Sequence, residues 1–293
     1  MTRLAFTALV GGLLSVASAA SATTVVGLTT DNRLVTFDHL APGVLFTNNA
    51  VTGLAEGESL VGIDLRPATG QVFGVGTSNR IYNINPLTGA ASAIGAGFGN
   101  APLTANVEYG IDFNPTVDRI RVVSSDSGNR RLNPVTGGAV LPLDAALTYA
   151  GTGGAVRAVG AAYTNSLAGV LPGTTRQYII DAATGQLVET GSMAGGNASF
   201  NAGVVNPVGS LGLGTDINNN VGFDIFGPTG VALISTTDAS GASTLRFLNL
   251  SDASNFSLGT IGGGTIRDIT VIPTPGAAAL AGVIGLAGLR RRR

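Results

Sequence analysis

Val61-Gly62-Ile63-Asp64-Leu65 has relatives along the whole chain: Tyr109-Gly110-Ile111-Asp112-Phe113, Val159-Gly160-Ala161-Ala162-Tyr163 and Val221-Gly222-Phe223-Asp224-Ile225. A partial copy, Ile266-Arg267-Asp268-Ile269-Thr270-Val271, comes near the end. Each full copy is a short apolar run with Gly at its second place, and only the third lacks Asp at the fourth. A turn recurs as well: Asn85-Pro86-Leu87-Thr88-Gly89, Asn133-Pro134-Val135-Thr136-Gly137 and Asp181-Ala182-Ala183-Thr184-Gly185. Asn or Asp opens such a turn through its side chain, and Gly supplies the positive φ near its end. Thr88, Thr136 and Thr184 are spaced 48 residues apart.

Between these anchors lie β-type runs such as Gln71-Val72-Phe73-Gly74-Val75, Arg80-Ile81-Tyr82-Asn83-Ile84, Arg119-Ile120-Arg121-Val122-Val123 and Arg176-Gln177-Tyr178-Ile179-Ile180. They are short, apolar or alternating, and bounded by turn residues. Each unit reads as strand a (Gly-Ile-Asp), strand b, strand c, the Thr-Gly turn and strand d. A repeat of roughly 40–50 residues with four strands is the signature of a propeller blade.

The ends complete the pattern. Val25-Val26-Gly27-Leu28, Arg33 to Asp38 and Val44-Leu45-Phe46 read as strands b, c and d without a strand a, and Ile266 to Val271 as a strand a without the rest. Joined, they close the ring and hide the sheet edges. The expectation is an all-β chain, a β-propeller of five four-stranded blades over residues 23–272. Gly160 and Gly222 lie farther apart than the other anchors, and Gly195-Gly196-Asn197 and Gly209 to Gly214 read as an inserted loop on one face. An elongated β-solenoid or a sandwich is the structural rival.

Composition removes whole chemistries. The 293 residues include 44 Gly but no Cys and no Trp, and all 16 basic residues are Arg. Without Lys there is no P-loop lysine and no Schiff base. Without Cys there is no thiol nucleophile, disulfide or thiolate metal site. A single His, His39, leaves no multi-histidine metal centre. A mean hydropathy of +0.37 argues against disorder despite the glycine. The net charge of -1 averages unlike segments. Arg3 and Arg290 to Arg293 lie at the ends and the body between them is acidic, so nucleic acid is excluded as a partner.

Both ends read as addresses. Met1-Thr2-Arg3, an apolar run from Leu4 to Val16 and small residues to Ala22 make a secretory signal peptide over residues 1–22. Cuts after Ala19 or after Ala22 both fit. The second, with Ala20 and Ala22 as its small residues, is favoured. Residues 273–293 hold Pro273-Thr274-Pro275, a short apolar run from Ala277 to Leu289, and Arg290, Arg291, Arg292 and Arg293. The run is short for a bilayer, and the arginines stay cytoplasmic by the positive-inside rule.

This tail resembles the PEP-CTERM sorting signals of Gram-negative bacteria, departing from them at Thr274, where Glu is usual. The resemblance implies an inner-membrane sorting peptidase of exosortase type as partner. It also implies transient inner-membrane anchoring through the C-terminal helix and a final place at the cell surface or outside the cell. A plain C-terminal membrane anchor is the simpler alternative. The body resembles an uncharacterised bacterial family, domain of unknown function 4394, through Val26 to Thr29, Leu60 to Pro67, Tyr109 to Pro115, Asp118 to Ser124 and Asn129 to Pro134. That resemblance implies an exported β-propeller-like domain and no activity.

Several residues are candidates for a site. If each Gly-Ile-Asp carboxylate opens an innermost strand, Asp64, Asp112, Asp224 and Asp268 ring the channel. A ring of carboxylates needs protons or a cation, and Ca²⁺ suits oxygen ligands; no other cofactor is expected. The competing reading makes each Asp an acceptor for backbone N–H groups. Asp216-Ile217-Asn218-Asn219-Asn220 spaces oxygen ligands like a Ca²⁺ loop, though Val221 stands where such a loop wants Gly, and an Asn-rich turn explains it equally. Arg119, Arg121, Arg130 and Arg131 either pair with Asp118 and Asp126 or meet an anionic polysaccharide. Asp38-His39 lacks a nucleophile elbow, and Glu56 and Glu58 sit in a Gly-rich loop. The expected function is a non-catalytic binding or structural module at the cell surface or in the matrix, with extracellular polysaccharide or surface proteins as partners. The alternative is a secreted polysaccharide-acting enzyme that uses channel-facing carboxylates.

Overall fold

The apolar runs form strands because β-branched and aromatic residues suit a pleated, buried surface. The computed structural model describes residues 23–190, 200–214, 217 and 220–273. Among the sequence candidates, Ala20, Ala22, Asp216, Asn218, Thr274, Pro275 and Arg290 to Arg293 lie outside the described residues. The strands make five small antiparallel sheets arranged in a ring, a five-bladed propeller with almost no helix among the described residues.

The first blade joins both ends of the domain: β1 (Thr24–Thr29), β2 (Arg33–Asp38) and β3 (Leu45–Ala50), with β20 (Ile266–Ile272) as its inner strand. β1 pairs with β20 from Thr24↔Ile272 to Thr29↔Ile266, the ring closure the sequence predicts. The second blade is β4 (Leu60–Arg66), β5 (Gln71–Gly76), β6 (Arg80–Ile84) and β7 (Ala91–Ile94). The third is β8 (Tyr109–Asn114), β9 (Arg119–Ser124) and β10 (Asn129–Leu132). The fourth is β12 (Ala158–Tyr163), β13 (Gln177–Asp181), β14 (Gln186–Thr190) and β15 (Val204–Ser210), and β11 (Thr148–Tyr149) adds to its outer edge in parallel. The fifth is β16 (Val221–Phe226), β17 (Val231–Thr237), β18 (Ser243–Leu248) and β19 (Asn255–Thr260).

The hydrophobic core is five cores, one between each pair of neighbouring blades. Val26, Leu28 and Leu34 of the first blade pack on Leu60, Ile63 and Tyr82 of the second. Phe73 of the second meets Phe113 of the third edge-on at 5.3 Å. Similar clusters fill the other three gaps. A middle strand such as β5 is therefore buried on both faces and reads as a near-continuous apolar run, whereas the outer strand β3 alternates between half-buried and exposed.

Three expectations need correction. The four-strand blade holds for three blades only. The outer edge of the third ends in a single bridge, Leu132↔Ala139, and the fourth carries the extra strand β11. The third Thr-Gly turn joins β13 to β14, the second and third strands of its blade, whereas Asn85–Gly89 follows the third strand, β6. The equal 48-residue spacing thus hides a shift of one strand, because the β12–β13 connection is long. Gly209, read as part of an inserted loop, lies in β15. The turn chemistry itself is as expected. Asn85 Oδ1 accepts the Leu87 and Thr88 amides at 2.9 and 3.2 Å, and Gly89 has φ 76°.

Candidate functional site

An inner strand pairs along one edge only, so the N–H groups of its other edge face the axis and need acceptors. The sequence supplies them from the neighbouring blade. Asp64 Oδ2 accepts the Phe113 amide at 2.7 Å, and Phe113 follows Asp112. Asp112 accepts the amide of Tyr163, which follows Ala162. Asp224 Oδ2 accepts Val271 N at 2.5 Å, and Thr270 Oγ1 accepts Leu65 N at 3.0 Å. Each side chain thus clasps its own blade to the next.

These bonds fix the true alignment of the last copy. Thr270, not Asp268, holds the Asp place: Thr270 pairs with Val26 across β1 as Asp64 pairs with Phe73 across β5. Asp268 stands in the glycine place, two residues earlier. There it accepts Ile63 N at 2.9 Å, and a Cβ on Gly62 would lie 2.6 Å from its Oδ2. The other glycines of this layer let the inner strands approach. A Cβ on Gly110 would fall 2.5 Å from the carbonyl carbon of Gly160.

The structure therefore gathers Asp64, Asp112 and Asp224, each offering a carboxylate oxygen within 4.8 Å of the others, and sets Asp268 one layer away. All four are buried. Burial first, then the charge of Asp224, pushes Asp64 well above the usual carboxylate range. Burial and the charges of Asp64 and Asp224 do the same to Asp112. Burial raises Asp268 likewise and brings Asp224 to about 6. None of the four joins an ion pair among the described residues.

Hydrogen counting gives the same answer independently. Thr270 Oγ1 lies 2.9 Å from Asp64 Oδ1 and 3.1 Å from Asp224 Oδ2, while it accepts from Leu65. A hydroxyl has one hydrogen. For both contacts to be hydrogen bonds, one of the two carboxyls must carry a proton. Ca²⁺ meets a poor donor set here. It takes roughly six to eight oxygens, and the oxygens of Asp64 and Asp224 already accept protein hydrogens. Of the carboxylate oxygens of Asp64, Asp112 and Asp224, only Asp112 Oδ1 is buried without a partner among the described residues. A cavity of about 20 Å³ lined by Asp64, Asp224, Ser166, Pro228 and Pro273 has room for about one water.

Groups protonated more readily folded than unfolded stabilise the fold below their unfolded pKa. That contribution is lost as pH rises through the folded value. The melting midpoint is accordingly expected to fall from about pH 4 through about 6, where Asp224 titrates. Asp112→Asn, which removes one charge and keeps the shape, should flatten this slope. Circular-dichroism melts in EDTA across that range check it; an unchanged slope would count against a shared-proton cluster.

A second polar site lies between the third and fourth blades. Asp112, Arg121 and Arg131 stand opposite one another across β8, β9 and β10, so they share one face. Arg121 is among the largest fully buried side chains. Its Nε donates to Tyr163 Oη at 3.1 Å, Nη1 to Asn129 Oδ1 at 2.8 Å and to Asp144, and Nη2 to Asn201 Oδ1 at 2.9 Å. Arg131 Nε and Nη2 grip Asp144 at 2.9 and 2.7 Å. Not all the arginines pair as expected: Asp144 takes Arg121 and Arg131 and the carboxylate of Asp118 bonds Arg66, while Arg130 lies near enough to Asp126 to help hold its pKa down. A cavity of about 220 Å³ opens here, lined by Asn114, Arg119, Arg121, Arg131, Val140 and Asn201. Sequence spacing puts Arg119 and Arg121 on one face but holds no sign of Asp144, which arrives on a loop, or of Asn201, a helical residue just before β15.

The remaining candidates are separate from both sites. Glu58 is buried and accepts from Ser78 and Tyr82, while Glu56 is exposed. Burial alone would raise Glu58, but hydrogen bonds from Ser78, Tyr82 and Ala55 outweigh it and hold its pKa low. His39 has the Asp38 carboxylate at 3.2 Å and the Thr23 carbonyl at 3.4 Å.

Several solved structures are similar at low identity. The crystal structure of a nidogen/laminin complex is similar at 12% identity, over 86% of this chain and 98% of that one, with a TM-score of 0.47. The Dos1 propeller matches at 11% identity, over 81% and 61% of the two chains, with a TM-score of 0.40. Dihydro-heme d1 dehydrogenase NirN in complex with DHE matches at 11% identity, over 83% and 44%, with a TM-score of 0.34. No curated protein sequence matches. The family model for the domain of unknown function DUF4394 matches residues 33–270, from β2 of the first blade to β20, and the chain belongs to that family.

Proposed function

We propose that the chain is an exported bacterial protein of the cell surface or extracellular matrix whose propeller is a non-catalytic binding or structural module. The observation that carries this reading is the use made of the axial carboxylates. Asp64, Asp112 and Asp224 are the acids best placed for bond-breaking chemistry, yet they are buried and clasp one blade to the next. A glycosidase needs a pair of carboxyls flanking a bound sugar, with room for substrate between them.

The leader at residues 1–22 and the tail at 273–293 support export and sorting, with an exosortase-type peptidase as the processing partner. Among the described residues no helix is long and apolar enough to cross a membrane. Extracellular polysaccharide and surface proteins are the partner classes this reading takes.

The test has two arms. The chain isolated from the cell surface is expected to show, by mass spectrometry, loss of Arg290 to Arg293. Retained Arg293 would contradict sorting by cleavage. Incubation of the same material with a polysaccharide panel should release no new reducing ends. Release that Asp64→Asn abolishes while the fold persists would favour the enzyme.

A further inference from the structure

We propose that the cavity between the third and fourth blades is a carboxylate-recognition site that takes one acidic sugar unit of an extracellular polysaccharide; this deepens the binding-module reading and rests on it.

The cavity is lined by Arg119, Arg121 and Arg131. The carboxylate of Asp144 is the only acid paired with any of them among the described residues, and it serves both Arg121 and Arg131. Three guanidinium charges against one carboxylate leave an excess of two. Arg119 joins no ion pair among the described residues; its Nη1 donates to the Val117 and Asp118 carbonyls at 3.3 and 2.8 Å. A half-buried positive excess beside an open cavity attracts an oxyanion, and a planar guanidinium matches a carboxylate.

The site is also built in advance. Arg121 is held by Tyr163, Asn129, Asn201 and Asp144, so it cannot swing away when no ligand is present. Arg131 is gripped through Nε and Nη2, which fixes the plane of its guanidinium. Preorganised donors save the ordering cost of binding. Asn114 and Asn201 add amide groups to the wall, and Val140 offers an apolar patch against which a sugar ring can lie. The volume of about 220 Å³ is smaller than a drug-sized pocket. It suits one carboxylated sugar of a chain that continues into solvent.

Titration calorimetry on the full mature chain tests this, with trigalacturonate, neutral galactotriose, free galacturonate and inorganic phosphate as probes. Trigalacturonate is expected to bind, to weaken as salt rises, and to lose about tenfold or more in affinity with Arg119→Gln. Arg119→Gln keeps the Arg121–Asp144–Arg131 network, so its melting midpoint should match wild type. Arg80→Gln, at an exposed position in another blade, should leave affinity unchanged. If phosphate binds at the cavity and no uronate does, the sugar-acid assignment falls. Uronate binding that Arg119→Gln and Arg131→Gln leave intact overturns the site but leaves the binding-module reading standing. Release of reducing ends from trigalacturonate would overturn the non-catalytic reading instead.

Discussion

Replacing Arg121 with Met is expected to cost about 3–5 kcal/mol of stability, the range for removing one partner of a buried ion pair. The cause is local. Tyr163 Oη, Asn129 Oδ1 and Asn201 Oδ1 each lose a donor. Asp144, buried like Arg121, keeps only Arg131. At about 2–4 °C per kcal/mol for a domain of this size, the melting midpoint should drop by roughly 6–20 °C. The pairing is separable from side-chain volume by a double-mutant cycle. Adding Asp144→Leu to Arg121→Met removes the stranded charge, so the two losses should sum to less than their separate values. Additive losses would show that Arg121 matters through packing and its bonds to Tyr163, Asn129 and Asn201, not through Asp144.

Gly110→Ala is the second large effect. The new Cβ would lie 2.5 Å from the Gly160 carbonyl carbon and 2.6 Å from Ala161 N, backbone atoms of the neighbouring inner strand. No side chain there can yield, so the third and fourth blades must separate at the axis. Overpacking of this kind costs roughly 1–3 kcal/mol or more. The backbone-entropy gain of Gly→Ala, about 0.4–1 kcal/mol, offsets only part of it. Gly99→Ala is the control: nothing lies within 4 Å of its Cβ, and its φ is not positive. It should stay within about 0.5 kcal/mol of wild type. Urea midpoints of the two variants, measured together, check the contrast. Equal values would mean the inner strands have more slack than their spacing indicates.

The propeller was legible because its geometry forces one sequence pattern on every inner strand. Strands meeting at an axis need glycine where their backbones approach and an acceptor for N–H groups that have no partner strand. Gly62 with Asp64, Gly110 with Asp112 and Gly222 with Asp224 are that pattern. The ring closure was legible for the same reason, since the two ends are complementary parts of one blade. The last copy misled because Asp268 and Thr270 both accept N–H bonds. Aligned on its only carboxylate, the copy shifts by two residues, and the clasping bonds together with the β1–β20 register correct it. The turn at Asp181 to Gly185 misled because an Asx turn works equally well after the second strand or the third. The arginine cavity was half visible. Alternation puts Arg119 and Arg121 on one face, but Asp144 and Asn201 reach it from segments outside the strands, whose paths no β periodicity encodes.

The axial aspartates are expected to act as proton-sharing clasps, and the competing outcomes are a cation site or a reaction centre. Carbon-13 spectra of the aspartate carboxyl carbons, with Asp112→Asn and Asp224→Asn for assignment, read this directly. At pH 7 in EDTA, at least one of Asp64, Asp112 and Asp224 is expected to give the signal of a protonated carboxyl, and added Ca²⁺ should leave all three unmoved. Three ionised carboxylates whose signals shift together when Ca²⁺ is added would contradict it.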